Sequence, residues 1–171
     1  WSMEQLDLLD GPVRPATRAV SLAYESTTLE QARAAVRQGR DDGIVCPCCD
    51  QLVKVYRRKI NAQMAMAAAW MARRGAGDYI DMTTAPPEIL RNREYSRMAL
   101  WMLVEAEPGR KSNGSRRGRW RLTDLGRKFV SGEARVPQSL YVLNGKVVDA
   151  SRETIAISEV EGFSLDEVWN G

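Results

Sequence analysis

The sequence predicts a mixed α+β fold in which three helices precede a β-hairpin and further β-strands follow. Apolar residues recur at helical spacing from Lys59 to Arg74. Two runs of alternating polarity then flank a loop at 108–118 that is rich in glycine, serine and arginine. Beyond residue 133 the helical spacing gives way to β-rich runs. With 171 residues, the chain is long enough for one ordinary domain with extensions.

The residues before 59 carry weaker structural signals. Residues 3–27 have no clear period, and a short helix capped by a threonine is predicted over 28–37. The sequence therefore predicts four parts. An N-terminal arm with a short helix occupies residues 1–45, and a cysteine-containing turn and basic linker follow at 46–58. A compact domain at 59–132 and a C-terminal β-rich extension at 133–171 complete the chain.

The compact domain is predicted to begin with its clearest helix, at 59–74. One apolar stripe of this helix consists of Ile60, Met64, Ala67 and Met71, at the spacing of a buried helix face.

Two further helices are predicted at 86–91 and 92–102, where threonines and prolines mark the first N-terminus. In the second of them, the residues expected to face inward are Tyr95, Met98, Ala99 and Met102. Those expected on its outer face are Asn92, Arg93, Glu94, Ser96 and Arg97.

Two strands are predicted next, at 103–107 and 118–122, followed by a helix that Thr123 caps. Between Arg110 and Lys128 there are eight basic residues and one acidic residue, Asp124. A second basic cluster precedes the first helix of the domain, at 54–59. Positive charge concentrated in this way favours a polyanionic partner, although a solvated basic loop would have the same composition.

The strand residues carry a family resemblance. The segments Leu103-Val104-Glu105 and Gly118-x-Trp120-x-Leu122-Thr123-x-x-Gly126 resemble the wing signature of MarR-type and related winged-helix regulators. In that family a helix ends in Gly-Leu-Ile-Glu and the second strand contains Tyr-x-Leu-Thr-x-x-Gly. Met102 stands where the family usually has glycine, and Trp120 replaces its aromatic or aliphatic strand residue. The resemblance covers residues 59–132.

The whole chain is also similar to small uncharacterised actinobacteriophage proteins, which implies no particular activity.

The resemblance implies a winged helix-turn-helix core that binds double-stranded DNA as a phage or bacterial transcriptional regulator. Helix 92–102 would then enter the major groove, and the wing at 108–118 would follow the phosphate backbone. The residues that would contact DNA are Asn92, Arg93, Ser96 and Arg97 on the helix, Arg110, Lys111, Arg116, Arg117 and Arg119 on the wing, and Lys54, Arg57 and Arg58 on the flank.

A different class of function stays open, because winged helices also serve as protein-interaction modules. In that case a phage-encoded chain would bind and modulate a host protein, with the acidic tail or the basic wing as the contact surface. A homodimer is a further expectation, with the N-terminal helix or the C-terminal β-rich segment as its interface.

The three cysteines all lie within Cys46-Pro47-Cys48-Cys49. Cys46 and Cys49 have the spacing of half a structural zinc site, but the chain has no histidine and no cysteine outside this turn. Three completions of a zinc site stay open: aspartates at 41, 42 or 50, a second copy of the chain, or none because the site has decayed. The alternatives to zinc are a redox pair or plain thiols.

The composition excludes several classes of function. Without histidine the chain lacks the commonest general base, and it has no glycine-rich phosphate-binding motif, so we do not expect an enzyme. No apolar run approaches the length of a membrane span. The cysteines do not form a disulfide framework and no signal peptide is evident, so we expect a cytoplasmic protein, in the host cell if the chain is phage-encoded.

Overall fold

The computed structural model describes residues 27–75, 77–109 and 118–164. The chain divides into two compact units, Trp1–Val55 and Tyr56–Gly171. Helices and several small antiparallel sheets together confirm the predicted α+β class. No helix in the described ranges is both long and apolar enough to span a lipid bilayer.

Among its described residues, 27–55, the first unit contains one helix and one hairpin. Helix α1 (Leu29–Gly39) begins with the predicted threonine cap: the Thr28 hydroxyl accepts from the Gln31 backbone N–H, and the Gln31 side chain accepts from the Thr28 backbone N–H. Strands β1 (Ile44–Val45) and β2 (Leu52–Val53) pair antiparallel, with the cysteine turn between them.

The second unit begins with a strand and a long helix and continues through short elements. Its helices are α2 (Ala62–Gly75), α3 (Pro87–Leu90), α4 (Glu94–Arg97) and α5 (Asp124–Val130). Its strands are β3 (Tyr56–Lys59), β4 (Ile80–Asp81), β5 (Val104–Ala106), β6 (Arg119–Leu122), β7 (Val136–Pro137), β8 (Ser139–Leu143), β9 (Lys146–Ala150) and β10 (Thr154–Ile155).

Helix α2 lies at the centre of the hydrophobic core. Met64, Ala67 and Met71 of the predicted stripe are buried, which confirms that face of the helix. Ile60 is also buried but lies before the helix, which begins at Ala62 and not at the predicted residue 59, because Lys59 belongs to β3. The helix contacts α3, α4 and α5. Its alanines allow these short helices to approach closely, because they add little side-chain volume to the interface.

Strand β6 is the central strand of one small sheet, with β4 on one side and β5 on the other. Trp120 in β6 packs against the core, and its ring meets Tyr95 edge to face with 5.9 Å between centroids. The strands predicted on either side of the basic loop therefore form the expected antiparallel hairpin.

A second sheet has the order β3-β8-β9 and joins distant parts of the unit. The β8–β9 turn contains Asn144-Gly145, as the hairpin signal predicted. Strand β3 pairs with β8, and the indole N–H of Trp101 donates to the Pro137 carbonyl at 2.7 Å. The basic segment before α2 and the β-rich segment after residue 133 are thus hydrogen-bonded within one unit.

The helix predicted at 92–102 differs from the prediction in its first residue and in which of its side chains are buried. It begins at Glu94, and after Arg97 it tightens into a 3-10 helix over Met98–Trp101. The tighter helix changes which residues face the core. Met98 is buried and Tyr95 half-buried as expected, but Ala99 and Met102 are exposed, and Glu94 is buried where exposure was expected.

Candidate nucleic-acid interface

The turn between α3 and α4 places three polar side chains side by side. Arg91 (φ −54°, ψ 130°) and Asn92 (φ 56°, ψ 4°) occupy the two central positions of a type II turn. Arg93 follows, also left-handed, at φ 52°. Asparagine tolerates this conformation, whereas it is unfavourable for arginine. Such backbone strain is concentrated at functional sites in proteins.

All three residues of this turn are exposed. Within the described part of the chain, neither arginine forms an ion pair, and the Asn92 side chain makes no hydrogen bond. Two uncompensated cations and an amide therefore face solvent at the N-terminal end of the helix. Asn92 and Arg93 were predicted as contacts from the sequence, whereas Arg91 was not, although the asparagine after it could have indicated a type II turn.

The two other predicted helix contacts, Ser96 and Arg97, already have partners in the protein. The Ser96 hydroxyl donates to the Arg93 carbonyl at 2.9 Å. Arg97 forms an ion pair with Glu94, with 2.5 Å between Nη1 and Oε1. The exposed surface of this helix is therefore less cationic than its sequence indicates.

Glu94 is buried because it holds two helices together. Its Oε2 accepts from Asn61 Nδ2 at 3.4 Å, and its Oε1 accepts from Arg97. Asn61 also caps α2, since its Oδ1 accepts from the Met64 backbone N–H at 3.0 Å. This carboxylate thus fixes the start of α4 against the start of α2.

The strands that carry the basic loop also have their cations paired. Arg119 donates to the Tyr79 carbonyl at 2.6 Å and to Glu107 at 3.4 Å. The Arg121 guanidinium pairs with Glu105 at 2.5 Å and stacks over the Tyr79 ring. Glu105 raises the pKa of Arg121 further above its ordinary value. The predicted contacts Arg110, Lys111, Arg116 and Arg117 lie outside the described residues.

Met102 and Thr123, in and beside the segments that resemble a wing signature, connect the C-terminus of the 3-10 helix to the start of α5. Met102 is left-handed at φ 58°, and the Met102 and Leu103 N–H groups return to the Ala99 and Met98 carbonyls. This hydrogen-bond pattern is the Schellman motif, in which the left-handed position is usually glycine. The Thr123 hydroxyl donates to the Met102 carbonyl at 2.6 Å and accepts from the Gly126 N–H.

Strand β3 presents a short row of exposed cations at the edge of its sheet. Arg57 donates from Nε to the Ser139 hydroxyl at 3.1 Å, and Arg58 lies over the Tyr56 ring at 5.5 Å. Neither forms an ion pair among the residues that the structure describes. Lys54, the remaining predicted flank residue, is half-buried in the first unit.

An open cleft of about 920 Å³ lies between the base of the β5–β6 hairpin and α5. Its charged lining is mutually paired, Arg121 with Glu105 and Arg127 with Asp124. This balance leaves no strong preference for a charged ligand.

The cysteine turn closes the β1–β2 hairpin. The Cys46 N–H donates to the Gln51 carbonyl at 2.8 Å, and the Asp50 N–H donates to the Cys46 carbonyl at 3.0 Å. The backbone N–H of Cys48 lowers the pKa of the Cys46 thiol, with smaller contributions from the thiol and N–H of Cys49 and from the Cys48 thiol. The described residues contain no group of three histidine, cysteine, aspartate or glutamate side chains that could hold a metal ion.

No protein-family model, curated protein or solved structure matches this chain.

Proposed function

We propose that this chain is a non-enzymatic winged-helix protein that binds double-stranded DNA as a transcriptional regulator. The helix at 94–101 would enter the major groove, and the loop between β5 and β6 would lie along the phosphate backbone. The exposed and unpaired set Arg91, Asn92 and Arg93, at the start of that helix, carries the proposal.

The position of this set is what DNA recognition requires. In helix-turn-helix proteins the N-terminal residues of the second helix contact the base edges. Arginine forms bidentate hydrogen bonds with guanine, and asparagine forms them with adenine. An α-helix with its side chains is about 10–12 Å across, which is about the width of the major groove.

The order of the elements also supports a winged helix. Helix α2 is followed by α3, a tight turn and α4, and the β5–β6 hairpin comes next. The left-handed Met102 stands at the position where the resembling family usually has glycine. A left-handed backbone at this position would explain the glycine of the motif. The exposed cations of β3 would add phosphate contacts, which increase affinity without reading sequence.

The test is a fluorescence-anisotropy titration of the full chain with random duplex DNA at two salt concentrations. The variants are Arg91→Ala with Arg93→Ala, and Arg116→Glu with Arg117→Glu. Each cation that contacts a phosphate contributes about 0.9 to the slope of log affinity against log salt concentration. We therefore expect both double variants to bind more weakly. The salt slope should be flatter for Arg116→Glu with Arg117→Glu, whose cations are proposed to contact phosphates.

Lys146→Gln is the control for positive charge lost away from the proposed contacts, because it removes one cation from the exposed β9 strand. It should leave the affinity close to that of the wild type. Wild-type affinity and salt slope in both double variants would refute the proposed DNA contacts.

The pairing of Arg97, Arg119 and Arg121 inside the protein favours one other candidate, a protein-interaction module that binds a host protein. For that function the chain should pass through a heparin column unretained and give no duplex-DNA gel shift.

A further inference from the structure

The cysteine turn has the backbone arrangement of half a metal site. The hydrogen bonds between Cys46 and residues 50 and 51 fold the turn back on itself. Cys46 and Cys49 therefore lie on one tight turn, and the left-handed Asp50 (φ 55°) comes directly after them.

Two thiolates are not enough for a structural zinc ion, which takes four ligands in a tetrahedral arrangement. The chain contains no histidine, and its third cysteine, Cys48, is exposed in the same turn. The described part of the chain also brings no aspartate or glutamate to the two thiols in a group that could hold a metal. Since the described residues offer no further ligand, a second molecule is the source that we consider for the other two.

The same hairpin carries an apolar surface directly beside the turn. Val45 and Leu52 are opposite one another across the β1–β2 pair, and their exposed fractions are 44% and 61%. Exposed apolar side chains that adjoin each other favour burial against a partner. A second copy of the chain would cover this pair and supply two further thiolates at the same time.

We infer that Cys46 and Cys49 form half of a zinc site that a second copy of this chain completes with its own Cys46 and Cys49. The zinc ion would lie on the twofold axis between the two copies, bound by four thiolates. On binding, the four thiols lose their protons to solvent and no group is oxidised or reduced. This assignment is independent of the proposed DNA binding.

A redox role for the same cysteines is less favoured by the structure. Reactive Cys-x-x-Cys pairs use the N-terminus of a helix to lower the thiol pKa, whereas this pair lies in a hairpin turn. Structural zinc sites, in contrast, take thiolates at this spacing.

The test uses the full chain, purified under reducing conditions and titrated with Co²⁺ and then Zn²⁺. Tetrahedral thiolate coordination of Co²⁺ has an intense visible spectrum, which Zn²⁺ should abolish by displacement. We expect one metal ion per two chains, and light scattering should show the molecular mass doubling when metal is added. Cys46→Ser and Cys49→Ser should abolish both effects, and Cys48→Ser should retain them.

One metal ion per chain at the mass of a monomer would overturn the inference. So would failure of the reduced wild-type protein to bind Co²⁺, or an equal loss of metal binding in Cys48→Ser. Because stoichiometry and mass are measured on the wild type, a serine variant that fails to fold does not obscure the result.

Discussion

Gly126 lies so close to Leu103 that a β-carbon on the glycine would stand 2.0 Å from the Leu103 carbonyl oxygen. That oxygen already accepts the Thr123 N–H at 3.0 Å, so it has little freedom to move. The last glycine of the Leu-Thr-x-x-Gly segment is thus required by the approach of α5 to the start of β5.

We expect Gly126→Ala to lower the free energy of unfolding by about 3 kcal/mol, because backbone must shift to admit the methyl group. Urea denaturation followed by tryptophan fluorescence measures the change. The control is Gly75→Ala at the end of α2, where the nearest side-chain atom would be 3.6 Å from the new carbon. It should change stability by less than about 1 kcal/mol. Equal losses in the two variants would contradict the close-approach explanation.

Met102→Gly should stabilise the protein by about 1 kcal/mol, since glycine adopts the left-handed conformation without the cost that a side chain adds. The Met102 side chain is 69% exposed, so its removal sacrifices little buried area. Ala99→Gly, at an exposed position three residues earlier in the 3-10 helix, should destabilise by about 1 kcal/mol. The denaturation midpoints should therefore move in opposite directions, and a shift of both to lower urea would count against this account of Met102.

Glu94→Gln is expected to affect stability and DNA binding in opposite senses. The amide cannot pair with Arg97 as the carboxylate does, so stability should fall by about 1 kcal/mol, a modest loss because Arg97 is partly exposed. The released arginine should raise the affinity for random duplex DNA. Glu88→Gln removes the same charge from an exposed site in the first turn of α3. If the two variants gain equal affinity, net charge alone explains the effect.

The Arg135–Glu159 pair should make stability depend on pH in the acidic range. Arg135 donates to both carboxylate oxygens of Glu159, at 2.9 and 2.7 Å. Together with the Ala156 N–H, it lowers the pKa of Glu159. A carboxyl group whose pKa is lower in the folded state binds more protons in the unfolded state. Its contribution to folding stability is therefore present above the ordinary carboxyl pKa of about 4 and disappears as the pH falls. The stability difference between wild type and Glu159→Gln should accordingly narrow from pH 7 to about pH 3. A constant difference across that range would show that the pair does not contribute through its charge.

Sequence patterns predicted the elements whose signals are local. The stripe of α2, the threonine caps of α1 and α5 and the Asn144-Gly145 turn each depend on residues a few positions apart. The β3–β8 pairing could not be predicted in this way, because Tyr56-Arg57-Arg58-Lys59 shows no alternation of polarity and its partner is distant in sequence.

The candidate interface was predicted less completely than the fold. Its location at the start of the second short helix followed from the helix order, and Asn92 and Arg93 are exposed there. The pairing of Arg97 depends on the burial of Glu94, which in turn depends on Asn61, 33 residues earlier. Burial of a charged residue through such a distant partner leaves no periodic signal in the sequence.

The pairing of β3 with β8 also has a consequence for synthesis on the ribosome. Arg57 and Ser139, which are hydrogen-bonded across the two strands, are 82 residues apart in the chain. Strand β3 must therefore remain without its partner until the C-terminal hairpin has left the exit tunnel, at an elongation rate of about 5–20 residues per second. Three consecutive cations on β3 then oppose pairing of this free edge with another chain, because like charges repel the same strand of another nascent chain.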